Sequence, residues 1–122
     1  DGFASCLPWT LKEIRGKDRF IFTLDSSEET KRHWPHDFHL ELQVQVTSGD
    51  SLRLALTETN TGREPFESAW GFRPHFRISD PSAVSVRCKD AEDWQGLNPG
   101  VRTPRKLGPG ESRTHEMSVK AN

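Results

Sequence analysis

Apolar and polar residues alternate along most of this chain with the period of a β-strand, and no stretch sustains a helical period. The clearest run is Phe38 to Val46. Phe38, Leu40, Leu42, Val44 and Val46 fall on one face; His39, Glu41, Gln43 and Gln45 fall on the other. Thr47-Ser48-Gly49-Asp50 is a tight connection, and Ser51 to Thr59 answers with Leu52, Leu54 and Leu56 inward. A link this short excludes a crossover, so the two strands are predicted to form an antiparallel hairpin. Upstream, Leu7, Trp9 and Leu11 alternate with Pro8, Thr10 and Lys12, which predicts an edge strand because Pro8 has no N–H to donate. Gly16-Lys17-Asp18 turns the chain into a strand from Arg19 to Leu24, with Phe20, Phe22 and Leu24 on one side. Asp25 to His33 is polar and lacks an apolar stripe, so it reads as a loop or a single helical turn.

The second half is organised by Asn60 to Asp80. A polar turn, Asn60-Thr61-Gly62, leads through Pro65 into a long strand-like run that ends at Phe76. Phe66, Ser68, Trp70, Phe72, Pro74 and Phe76 share one face; the other is nearly bare and ends in Arg73, His75 and Arg77. Strand character returns at Val84 and Val86. Lys89 to Gly110 is polar and broken by prolines and glycines, a long irregular loop of the kind that is often functional or partner-bound. Arg113 to Val119 is a last strand with His115, Met117 and Val119 on one face. Short strands separated by turn signals predict an all-β fold, an antiparallel β-sandwich, with residues 1–122 as a single domain.

Composition narrows the function classes. Acidic and basic residues nearly cancel, with a formal net charge of -1 and no basic stripe, which argues against nucleic acid as a partner. No apolar run approaches the length of a transmembrane segment, and no signal-peptide h-region is present. The chain starts at Asp1 without a methionine. An unseen, removed targeting segment is therefore kept open, and with it an organellar location for a soluble or peripheral protein. Cys6 and Cys88 permit one disulfide without arguing for it. No Cys/His spacing suggests a metal site, and no cofactor is expected.

The chemistry-bearing residues are few. Arg73, His75 and Arg77 could line a shallow site for an oxygen-rich or anionic ligand, or form the solvated face of a half-buried strand. His36 reads as a loop residue near a strand entry and His39 as a polar-face residue, neither with a visible carboxylate or cysteine partner. Trp34, Trp70 and Trp94 are the aromatic anchors to inspect at a protein contact, with Trp70 placed inward by its parity.

Several short segments together resemble the galactose-mutarotase-like superfamily, and most closely its hexose-6-phosphate mutarotase (aldose 1-epimerase-like) branch. They are Gly2-Phe3-Ala4 with Pro8-Trp9, Trp34-Pro35-His36-Asp37-Phe38, Asn60-Thr61-Gly62 with Pro65-Phe66, Phe76-Arg77-Ile78-Ser79-Asp80, and Leu107-Gly108-Pro109-Gly110-Glu111. They follow the family's order across almost the whole chain. The resemblance implies a cut-down version of the family's large sandwich. It also implies sugar anomer interconversion, in which a histidine acts as general acid on the ring oxygen and a carboxylate as general base on the anomeric hydroxyl.

The matching positions depart from that chemistry. The family's acid lies in a His-Thr-Tyr-Phe run, which here reads Arg73-Pro74-His75-Phe76. A guanidinium cannot give up a proton near neutral pH. The family's His-Gly-Phe-Ala-Arg segment here reads Asp1-Gly2-Phe3-Ala4-Ser5. The segment with the basic glutamate has no counterpart, and Glu92, Asp93 and Glu111 carry no motif that would mark a replacement. His75 is the candidate for a relocated acid, with Arg73 or Arg77 gripping a phosphate, but it is displaced about 6–7 Å along a strand.

Three expectations follow: a non-catalytic mutarotase-like domain serving as an accessory or interaction subunit with a protein partner; a sugar-phosphate mutarotase with relocated residues; or a sugar-binding module. Non-catalytic mutarotase-like components of larger assemblies, chloroplast membrane complexes among them, give the first a precedent through the resemblance. A truncated sandwich also implies strand edges and apolar faces that must be blunted or bound.

Overall fold

A computed structural model describes residues 2–47, 51–72, 84–88 and 104–121, with 84–88 and 120–121 as backbone only. Among the described residues, eight strands and one α-helix follow in order: β1 (Thr10–Arg15), β2 (Arg19–Asp25), α1 (Glu28–His33), β3 (Phe38–Thr47), β4 (Ser51–Asn60), β5 (Phe66–Ser68), β6 (Val84–Cys88), β7 (Arg105–Leu107) and β8 (Ser112–Ala121). One six-stranded sheet has the order β1-β2-β3-β4-β8-β6, and β5 pairs with β7 in a second, two-stranded sheet. Every pairing is antiparallel. The fold is all-β, as the alternation predicts.

Register gives the large sheet two unlike faces. Leu11, Phe22, Leu42, Leu56 and His115 stand in one cross-strand row, and Ile14, Phe20, Val44, Leu54 and Met117 in the next. The opposite face carries Thr23, Glu41, Thr57 and Thr114 in a comparable row. Here Thr57 bonds Thr114 at 2.8 Å, Thr59 bonds Ser112 at 2.7 Å, and Arg53 pairs with Glu116 at 2.9 Å. The exception on this polar face is Ile21, 1% exposed between its cross-strand partners Glu13 and Gln43. Long polar side chains can lie over an apolar neighbour while their heads stay in water.

The densest packing lies at one end of the apolar face. Leu24, Phe38, Phe66 and Leu107 form its centre, with Trp9, Trp34 and Leu40 packed against them. The β5–β7 ribbon places Phe66 opposite Leu107, so both of its buried side chains enter this cluster.

The structure revises several boundaries. The strand expected from Leu7 instead starts at Thr10 and continues to Arg15. A 3-10 turn over Phe3–Ser5 precedes it, and the Trp9 indole donates to the Ala4 carbonyl at 2.9 Å, so Leu7 and Trp9 serve the core rather than a ladder. The polar stretch after β2 holds α1, capped at Ser27 by a reciprocal bond pair with Thr30. In place of the long strand expected from Phe66, β5 stops at Ser68 and residues 69–72 are not strand; the rest of that run, from Arg73 to Phe76, lies outside the described residues. Its inside–outside alternation nonetheless continues through Phe72. Residues 89–103 of the expected loop from Lys89 to Gly110 lie outside the described residues, and its last part contains β7, which exists because β5 supplies its partner.

Candidate functional site

Four of the five segments that carried the family resemblance converge at the core end of the sheet; the fifth, Phe76-Arg77-Ile78-Ser79-Asp80, lies outside the described residues. Asn60 is 0% exposed. Its side-chain amide donates to the carbonyls of Glu64 (2.9 Å) and Leu107 (3.0 Å), and its Oδ1 accepts from the Gly62 amide at 2.9 Å. Its backbone N–H donates to Glu111 O at 3.0 Å, and its carbonyl accepts from Gly110 N at 2.8 Å. The Glu111 carboxylate accepts from Gly108 N at 2.7 Å and closes that turn, which Gly110 completes with φ 74. Thr61 N donates to Asp37 O at 3.2 Å, joining the Trp34–Phe38 segment. Phe3 lies 6.2 Å from Trp34 and 5.8 Å from Phe38 between ring centroids. These four segments therefore build a scaffold, tied together through Asn60.

The polar groups of the apolar face lie beside this scaffold. Glu58 on β4 and His115 on β8 are each 4% exposed. Arg113 is the cross-strand partner of Glu58, and Leu56 that of His115. The carboxylate and the imidazole are thus diagonal neighbours, with backbones roughly 7–8 Å apart. The segment after β5 runs across them. Ser68 Oγ donates to Glu58 Oε2 at 2.8 Å, and the Trp70 ring sits 3.9 Å from the His115 ring. Phe72 packs edge-on to Trp70 at 5.2 Å. Arg113 donates to Lys106 O at 2.8 Å. Among the described residues, an acid and a base thus lie side by side, with Ser68 on the carboxylate and Trp70 on the imidazole. Sequence reasoning missed Glu58. Its even-numbered parity with Leu52, Leu54 and Leu56 was the available signal.

Arg73, His75 and Arg77 lie outside the described residues, as does Trp94. Trp70 points inward, as its parity implied, and Trp34 packs among aromatic rings, 4.5 Å from Phe66 and 4.8 Å from His36. His39 does have a carboxylate partner, contrary to expectation: its Nδ1 lies 2.6 Å from Asp25 Oδ1 on the polar face. Asp25 and His39 are cross-strand partners, a relation visible only once register is known. Lys31 Nζ lies 2.7 Å from Asp37 Oδ1, and that bond holds the Asp37 carboxyl below its usual range. Cys6 is an exposed free thiol. A shallow open hollow of about 240 Å3 is lined by Thr10, Thr23, Asp25, Glu29 and Thr30 among others, and by neither Glu58 nor His115. Among the described residues no three His, Cys, Asp or Glu side chains gather as a metal site, and no helix is long and apolar enough to cross a membrane.

The fold and the scaffold define a mutarotase-like β-sandwich protein. Two solved structures share the architecture: a galactose mutarotase related enzyme from Lactobacillus acidophilus (TM-score 0.66, 10% identity, 99% of this chain and 73% of that one) and a protein of Synechocystis (TM-score 0.69, 16% identity, 98% and 67%). Residues 1–98 match the family described as Aldose 1-epimerase, and the chain belongs to that family. Among curated relatives, a putative glucose-6-phosphate 1-epimerase of Escherichia coli is 38% identical over 88 residues. That match covers 70% of this chain and 28% of the relative. One from Cenchrus ciliaris is 36% identical over 73 residues, covering 58% and 22%. The chain thus spans under a third of the length of these relatives.

Proposed function

We propose that this chain is a non-catalytic member of its family, an accessory or interaction domain that binds a protein partner. The observation that carries this reading is Arg73, which stands where the resemblance calls for the proton-donating histidine. A guanidinium stays charged at neutral pH and serves as an anchor, not an acid. The burial of Glu58 and His115 supports the same reading. General acid and base must reach one substrate within hydrogen-bond distance, and these two side chains face Ser68 and Trp70 instead.

The relatives' name favours a second reading, a sugar-phosphate mutarotase in which His75 supplies the acid and Arg73 or Arg77 holds the phosphate. A sugar-binding module would keep those cations without turnover. Anomer exchange of glucose 6-phosphate, followed by NMR, separates them. The first reading expects no rate above the spontaneous one; acceleration that disappears in His75→Ala establishes the second. Calorimetric titration with glucose and glucose 6-phosphate reports the third. A stable polypeptide partner that co-purifies with the chain supports the first reading.

A further inference from the structure

The hollow of about 240 Å3 lies where β1 begins, between the end of β2 and the first turn of α1. Two features set it apart from an ordinary surface dent. The first is Thr23. It is 8% exposed, and among the described residues its hydroxyl has no hydrogen-bond partner, so it opens into the hollow it lines. A buried hydroxyl costs free energy until something in the site takes up its bond. The second is charge. Asp25 and Glu29 line the same hollow, and none of its lining residues is basic. Of the cations nearby, Lys31 pairs with Asp37, and His39 takes only Asp25 Oδ1. Asp25 Oδ2 and the Glu29 carboxylate have no partner among the described residues. Thr10, the cross-strand partner of Thr23, adds a second hydroxyl, and Leu7 and Pro8 give the hollow an aliphatic wall.

We propose that this hollow is a binding site for a primary ammonium carried on a short aliphatic stem, the chemistry shared by a lysine side chain and a free alkylamine. An ammonium only donates hydrogen bonds, and the hollow accepts them through Asp25, Glu29 and the Thr23 hydroxyl. The methylenes of such a cation lie against Leu7 and Pro8 while its head meets the carboxylates. An anion finds no basic side chain in the lining. A metal ion finds two carboxylates and no third ligand of the His, Cys, Asp or Glu kind among the described residues. The volume is smaller than that of a drug-sized pocket and suits a single extended side chain. Because the hollow is shallow and wet, binding is weak and screened by salt. The site shares no residue with Glu58, His115, Arg73, His75 or Arg77, so the inference holds whether or not the chain is catalytic.

Amide shifts of the 15N-labelled chain, titrated with pentylamine at low ionic strength, test it. Saturable shifts are expected at Thr10, Thr23 and Glu29, and none with 1-pentanol, which has the same stem and no charge. Glu29→Gln and Thr23→Val should each weaken pentylamine binding by about fivefold. Glu13→Gln, on β1 outside the hollow, should leave it unchanged. Circular dichroism checks that the variants keep the fold; Glu29 is exposed on α1, so that variant stands even if Thr23→Val does not fold. Nα-acetyl-lysine methylamide separates the two sources. Affinity equal to that of pentylamine assigns the site to a lysine of a polypeptide, and a loss of about tenfold assigns it to a free amine. No saturation, an equal response to 1-pentanol or to glucose, or binding indifferent to both substitutions overturns the proposal.

Discussion

Asn60 sits at 0% exposure with a partner for every polar atom of its side chain and backbone. Asn60→Ala would strip partners from the carbonyls of Glu64 and Leu107 and from the Gly62 amide. About 3 kcal/mol of stability should be lost, read from urea unfolding midpoints. Asp37 is the second informative residue. Its carboxyl titrates below the ordinary value because Lys31 bonds the charged form, with Ser26 a lesser contributor. A depressed folded-state pKa adds stability above the unfolded value, and that stability is lost as pH falls through the depressed one. Thermal unfolding followed from neutral pH into the acid range should therefore be less acid-sensitive in Asp37→Asn than in the parent. Both residues belong to segments singled out by sequence. Their identity was legible; the distant partners of Asn60, at Leu107, Gly110 and Glu111, were not.

Among the elements, the hairpin of β3 and β4 was the most legible, because strict alternation and a short connection leave one solution. Its pairing runs from Phe38 opposite Asn60 to Thr47 opposite Ser51. The β5–β7 ribbon was the least legible. Three residues of strand carry too little periodicity to be seen, and β7 is held by a segment nearly forty positions earlier in the chain. Phe66 is 3% exposed and binds this ribbon to the main sheet. Phe66→Ala should cost about 3–5 kcal/mol in chemical denaturation. It should also raise amide exchange at Arg105–Leu107 before the large sheet opens, since a short ribbon without its anchor opens locally. The misplaced start of β1 has a similar origin. Alternation at Leu7 and Trp9 looks like a strand, but the Trp9 indole bond to Ala4 and the 3-10 turn give both side chains a different burial.

At the scale of the whole molecule, one sheet face must hold a core, bury a polar pair and meet whatever lies beyond. Its core end is closed by β5, β7 and the aromatic cluster, and its β1–β3 side is half-open. The strand-rich class, the antiparallel hairpin, the inward side of β4 and β8 and the family were determined by the sequence alone, since alternation and turn residues are local properties of the chain. The tertiary structure alone decided the six-strand order, the pairing of β4 with β8, the Asp25–His39 contact and the burial of Glu58 beside His115 under Ser68 and Trp70. Those outcomes depend on which distant strands become neighbours. Cross-strand register is set by packing across the sheet, and no single stretch of the chain encodes it.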